Sequence, residues 1–60
     1  MTIYGQYNRE KSTLQIRTDG IYSNWEWINL MKVKNSAEAK KEFFKEKERS
    51  HWTSKILWLG

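Results

Sequence analysis

The sequence contains no cysteine, which excludes a disulfide-stabilised scaffold and a zinc site with cysteine ligands. Nothing therefore indicates an oxidising compartment, and a cytoplasmic location is the expectation. The longest apolar run, Ile56 to Leu59, is far shorter than the roughly 18 residues that suggest a transmembrane helix. The first residues also lack the basic start and apolar stretch of a signal peptide. We expect no membrane partner.

Motifs for catalysis and cofactor binding are absent as well. The carboxylates are scattered and His51 is the single histidine, so no ligand spacing predicts a metal site. No serine or aspartate stands in a nucleophile motif, and no glycine-rich loop could hold a phosphate. We predict a protein that is not an enzyme and needs no cofactor or metal. His51 fits better as a residue near a helix end, where its charge interacts favourably with the helix dipole.

The sequence is rich in aromatic side chains and in positive charge. It has four Trp, three Tyr and two Phe among 60 residues. A chain of this length buries only about 60% of its extended surface. We therefore expect a single domain, residues 1–60, of marginal stability, with some aromatic rings exposed. Lys plus Arg is 11 and Asp plus Glu is 7, a net charge of +4, which is spread along the chain and weakly favours acidic partners.

Alternating apolar and polar residues predict two strands in the first part of the chain, Thr2 to Tyr7 and Ser12 to Arg17. A polar loop from Asn8 to Lys11 would join them and set Gly5 opposite Leu14. The missing side chain of Gly5 would then leave room for an indole.

A third, longer strand is predicted from Ile21 to Lys34. The Asp19-Gly20 pair before it favours a tight type I′ turn, which would set Leu14 opposite Trp25. Both predicted registers place the same apolar set on one face, and a one-residue slip would scatter it. That set is Ile3, Gly5, Tyr7, Leu14, Ile16, Ile21, Trp25 and Trp27. The alternation breaks after Trp27, which predicts a bulge or a strand partly covered on both faces.

A helix is predicted from Ser36 to about Arg49, because the segment lacks Gly and Pro and is rich in Ala, Glu and Lys. Asn35 and Glu38 have the spacing of an N-cap and its N3 partner. The apolar flank of this helix comprises Ala37, Ala39, Phe43 and Phe44.

A last strand is predicted from Lys55 to Leu59, and its apolar residues on both faces suit an interior position in the sheet. The order of elements is then β-β-β-α-β. We predict an α+β domain, with a mainly antiparallel, twisted sheet and one helix packed on its apolar face.

For function, the sequence favours a small binding protein that docks on another protein as an inhibitor or adaptor. Tryptophan is enriched in interface hot spots, and the candidate surface combines aromatic residues with a lysine rim. Its residues are Trp52, Trp58, Leu59, Lys40 and Lys47. If the last strand lies at an edge, it could pair with a partner's strand. Self-association as a homodimer is a further expectation for so short a chain.

The alternative is binding of single-stranded RNA or DNA on the exposed face of the sheet. Tyrosines would stack bases, polar side chains would bind their edges, and lysines would attract phosphates. The candidate residues are Tyr4, Gln15, Arg17, Tyr22, Asn24, Lys32 and Lys34. No RNA-binding motif accompanies them, and the basic residues are not clustered, so this hypothesis comes second.

Overall fold

A computed structural model describes residues 2–19 and 26–60, which form four strands and one helix. The elements are β1 (Thr2–Asn8), β2 (Thr13–Thr18), β3 (Ile28–Lys32), α1 (Ser36–Arg49) and β4 (Lys55–Trp58). The strands form one sheet in the order β3-β2-β1-β4. The β1–β2 and β2–β3 pairs are antiparallel, and the β1–β4 pair is parallel. The predicted α+β class and element order are confirmed.

β4 lies at an edge of the sheet, which corrects the predicted interior position. It runs parallel to β1, with Ile56 beside Ile3 and Trp58 beside Gly5. At this edge, only some of the apolar residues of β4 are buried. Ile56 and Trp58 are half-buried and pack against the core, whereas Leu57 is 40% exposed.

The β1–β2 hairpin is offset by two residues from the prediction. Gly5 pairs with Ile16 instead of Leu14, because the loop lies one residue later than predicted: β1 extends to Asn8, and β2 starts at Thr13 instead of Ser12. Side chains alternate with a period of two, so an offset of two leaves every residue on its predicted face.

The third strand is shorter than predicted and has another register. β3 begins at Ile28, and Met31 instead of Trp25 pairs with Leu14. Gly20 and the predicted strand residues 21–25 lie outside the described residues. A register shift between Leu14 and Gln15 leaves Leu30 as an extra residue in β3, in agreement with the predicted bulge.

The core is centred on Phe43 of α1, which is fully buried against Gly5 of β1. A Cβ atom at Gly5 would lie only 2.7–2.8 Å from three atoms of the Phe43 ring. The absent side chain therefore sets how closely the helix approaches the sheet. Gly5 does leave room for an aromatic ring, but for Phe43 and not for an indole. The other buried apolar residues are Ile3, Leu14, Val33 and Ala39.

The helix begins as predicted. The Oδ1 atom of Asn35 accepts a hydrogen bond from the Glu38 backbone N–H at 2.8 Å, which satisfies one of the unpaired donors of the first turn. Ala39 and Phe43 are buried on the predicted apolar flank, while Phe44 stays 41% exposed. Two ion pairs of i,i+3 spacing lie on the helix, Lys45–Glu42 at 3.6 Å and Arg49–Glu46 at 3.1 Å.

The helix ends at a well-defined C-terminal cap that has no glycine. His51 adopts a left-handed conformation with φ 52°. Its N–H donates to the Glu48 carbonyl at 3.3 Å, and the Trp52 N–H donates to the Lys47 carbonyl at 3.0 Å. This pair of bonds is a Schellman motif, in which glycine is the usual residue at the left-handed position. The turn directs Trp52 back onto Phe43, at a ring distance of 5.8 Å.

We predict that Gly5→Ala destabilises the protein by about 1–3 kcal/mol, the usual cost of overpacking. That is a large part of the roughly 3–9 kcal/mol expected for a domain of this size. The test is urea unfolding of a double-mutant cycle with Phe43→Leu. Because the smaller side chain removes the clash, Gly5→Ala should cost less in the Phe43→Leu background. If the two substitutions change the free energy of unfolding additively, the Gly5–Phe43 contact does not set the position of the helix.

We predict that His51→Gly raises the free energy of unfolding by about 1 kcal/mol, since glycine has no steric cost in the left-handed region. His51→Ala is the matched control, because it removes the imidazole but keeps the backbone strain. It should not stabilise the protein. Thermal unfolding of the three proteins makes the comparison. Loss of stability in both variants would instead indicate a role for the imidazole.

Candidate functional site

The face of the sheet opposite α1 carries the polar residues of the strands. Alternation along β1 places Ile3 and Gly5 under the helix and turns Tyr4 to the other side. The same alternation in the neighbouring strands completes a surface that we call the open face. Its described residues are Thr2, Tyr4, Gln6, Asn8, Thr13, Gln15, Arg17, Trp27, Asn29, Lys32, Lys55 and Leu57.

A stack of three side chains lies on the open face. Tyr4 and Arg17 are paired across β1 and β2, and the guanidinium carbon of Arg17 lies 5.2 Å from the ring centroids of both Tyr4 and Trp27. All three residues are half-buried. A guanidinium over an aromatic face gains roughly 0.5–2 kcal/mol from the cation–π interaction, so the stack holds its rings in place.

The position of Trp27 in this stack corrects its prediction. The apolar face beneath the helix was expected to include Trp27, on the assumption of a strand running from Ile21. Because β3 starts only at Ile28, Trp27 does not follow the alternation of a strand. Its ring contacts Arg17 on the opposite side of the sheet.

A network of side-chain hydrogen bonds runs across the open face. The Oε1 atom of Gln15 accepts from Nε2 of Gln6 at 2.8 Å and from Nδ2 of Asn8 at 3.3 Å. Its Nε2 donates to Oδ1 of Asn29 at 2.8 Å, and that oxygen also accepts from Oγ1 of Thr13 at 3.0 Å. Gln15 is only 4% exposed and Thr13 6%. Buried polar groups need such partners, so the predicted ligand-binding Gln15 has a structural role here.

The charge of the strands has a single sign. β1, β2, β3 and β4 contain no Asp or Glu, and their cations, Arg17, Lys32 and Lys55, share the open face. Lys32 pairs with Thr13 and Lys55 pairs with Thr2, so the two lysines lie at opposite ends of opposite edges.

The acidic residues of the described chain are found outside the strands. The helix, which lies on the other side of the sheet, carries four glutamates: Glu38, Glu42, Glu46 and Glu48. Asp19 follows β2, and its Oδ1 accepts a hydrogen bond from the Thr2 N–H at 2.6 Å. Glu10 lies in the loop between β1 and β2, and the exposed Glu26 directly precedes Trp27. The strand residues of the open face therefore carry positive charge only, with carboxylates next to them at Asp19 and Glu26.

The remaining residues of the predicted nucleic-acid surface are not brought into this group. Lys34 is exposed just after β3, where its carbonyl accepts a hydrogen bond from the Tyr7 hydroxyl at 3.4 Å. Tyr22 and Asn24 lie outside the described residues. Sequence reasoning missed Trp27 and Asn29, because the β2–β3 register that sets Asn29 beside Gln15 has no signal in the sequence.

The predicted protein-binding residues are divided between core and surface. Trp52 and Trp58 are half-buried, with their rings 5.8 Å and 5.5 Å from that of Phe43. Leu59 is 55% exposed. Lys40 and Lys47 are exposed on α1. The two indoles therefore help to close the core and present only part of their surface to solvent.

Within residues 2–19 and 26–60, no three His, Asp or Glu side chains lie together in a way that could hold a metal ion. No helix in this part of the chain has the length and apolar character needed to cross a bilayer. Comparisons with protein-family models, with curated proteins and with solved structures give no match. They assign no family to the chain.

We predict that Asn29→Ala lowers the free energy of unfolding by about 1–3 kcal/mol, because it removes the acceptor of two hydrogen bonds and leaves a buried amide unpaired. Gln6→Ala is the control. It removes one bond to the Gln15 Oε1 atom, which keeps Asn8 as a donor, so its effect should be smaller. Chemical denaturation compares the two variants. An equal effect would mean that the network does not depend on its contact with β3.

Proposed function

We propose that the protein is a non-enzymatic module that binds single-stranded RNA or DNA on its open face. The carrying observation is that the Tyr4–Arg17–Trp27 stack lies on a surface whose strands hold cations and no carboxylate. Proteins bind single strands by stacking bases on aromatic rings and arginine planes and by attracting the phosphates with basic residues. A cytoplasmic location is part of this proposal, on the ground of the missing cysteines.

The arrangement of cations suits a strand that crosses the sheet. Lys32 and Lys55 belong to the two edge strands, which are about 14 Å apart at the usual strand spacing. The two lysines also lie at opposite ends of these strands, so the line between them runs diagonally across the sheet and passes close to Tyr4. A single strand that follows this line would place its bases over the Tyr4 ring, with Trp27 to one side, at the end of β3 away from Lys32.

The hydrogen-bond network supports the proposal through rigidity. Gln15 joins β1 and β3 through its bonds to Gln6 and Asn29, so the surface next to the stack is already ordered without a ligand. A preorganised surface loses less conformational entropy on binding. The buried amides would contribute to affinity in this indirect way. The more exposed side chains would make the contacts that recognise the bases.

Docking on another protein is the second candidate, and the exposure of Leu59 beside Trp58 favours it. Lys40 and Lys47 on α1 would form its basic rim. Salt separates the two functions, because binding through phosphates releases counterions and weakens steeply as salt rises. An interface centred on apolar side chains would not show that dependence.

We predict that replacing Lys32 and Lys55 together by Gln weakens the binding of a labelled single-stranded oligonucleotide. For single strands, each lost phosphate contact lowers the slope of log K against log salt by about 0.7, so the slope should fall by about 1.4. Replacing Lys40 and Lys41 by Gln is the control, since it removes the same charge from the helix. Fluorescence anisotropy at several salt concentrations measures both.

Two outcomes would contradict the proposed function. One is an equal loss of affinity in both double variants, which would mean that net charge and not the open face attracts the strand. The other is that the unaltered protein fails to bind single-stranded RNA and DNA at low salt.

A further inference from the structure

The outer side of β4 has a regular row of hydrogen-bonding groups. Among the strands that the structure describes, β1 is its one neighbour. The Leu59 N–H donates to the Gly5 carbonyl at 2.8 Å. Since backbone groups alternate in direction along a strand, those of Ile56 and Trp58 point away from β1. The register with β1 contains no shift, so these groups lie in line.

The opposite edge of the sheet is different. β3 contains the register shift at Leu30, and Asn29 and Lys32 are exposed along it. Bulges and lysines are features that protect edge strands from pairing with other chains. β4 has a lysine only at its start, and it leaves Leu57 and the adjoining Leu59 exposed. The described sheet thus has one protected edge and one that is ready to pair.

We propose that β4 pairs with β4 of a second copy of this chain, antiparallel and with the two-fold axis at Leu57. In this register, Ile56 of each copy forms a hydrogen-bonded pair with Trp58 of the other. Every outward-facing N–H and C=O group of the strand then has a partner. In an antiparallel register displaced by two residues, only Ile56 or only Trp58 would form such a pair. Its partner would be the same residue of the second copy.

The side chains are self-complementary in the same register. Leu57 would meet Leu57 of the second copy on the open face, and Lys55 would meet Leu59, so no like charges are opposed. Ile56 and Trp58 would meet on the helix side, next to the core that they already cover in each copy. Like charges directly opposite would destabilise such a pair, and this register avoids them. The chemistry of the strand therefore fits a second copy of itself.

The dimer would extend the sheet from four strands to eight, with both open faces on the same side. The contact is one pair of short strands, well below the 1,200–2,000 Å² typical of stable interfaces. We expect a dissociation constant in the micromolar range or weaker. The pairing does not depend on the proposed nucleic-acid binding and is tested without nucleic acid.

Cysteine cross-linking tests the register, because the natural chain has no cysteine. In the proposed dimer the two Leu57 Cα atoms face each other at about 4.5 Å, within the range of a disulfide. The two Leu59 Cα atoms would be about 14 Å apart. Leu57→Cys should therefore form a disulfide-linked dimer under mild oxidation at least 10-fold faster than Leu59→Cys. Non-reducing electrophoresis of the two folded variants, checked by circular dichroism, gives the rates.

The comparison controls for accessibility, since Leu59 is the more exposed of the two residues. If collisions alone caused cross-linking, Leu59→Cys would react as fast or faster, and the proposal would be overturned. Sedimentation of the unaltered protein provides an independent measurement. It should show a concentration-dependent monomer–dimer equilibrium that Leu57→Lys abolishes while the variant stays folded. A monomer at every concentration up to about 1 mM would also overturn the proposal.

Discussion

The close approach of Phe43 to Gly5 is the constraint on which the rest of the structure depends. It lets the helix lie directly on β1 and β2. Around the buried ring, the indoles of Trp52 and Trp58 complete the cover of a core with few residues. The left-handed turn at His51 belongs to this packing, because it brings Trp52 back to the helix. Two of the four tryptophans that suggest a docking surface therefore take part in core packing instead.

One helix covers one face of the sheet, so the opposite face is completed by its own side chains. An amide network centred on Gln15 and the stack of Arg17 between two rings achieve this without a second apolar layer. The same features suit ligand binding, since they leave ordered rings and a surface whose strands carry charge of one sign. Stability and the proposed binding function thus rest on shared residues on this face.

The two edges of the sheet are not equivalent, and the difference has a local origin. The extra residue Leu30 disturbs the regularity of β3, whereas β4 follows β1 in register and exposes Leu57. An edge strand with unpaired backbone groups and apolar side chains favours association. The site proposed for nucleic acid and the edge proposed for self-association are adjacent on the open face, but they use different groups, side chains in one case and backbone in the other.

The sequence by itself determined what depends on neighbours along the chain. The cap at Asn35, the span of α1 and the face on which each β1 and β2 residue lies all follow from local propensity and a period of two. Only the tertiary structure decided the registers, the edge position of β4, the burial of Gln15 and the turn of Trp27 toward Arg17. Pairing between distant strands sets these features, and several registers satisfy the same alternation. The native register is selected by packing around Phe43 and by side-chain hydrogen bonds across strands. Both act between residues far apart in sequence.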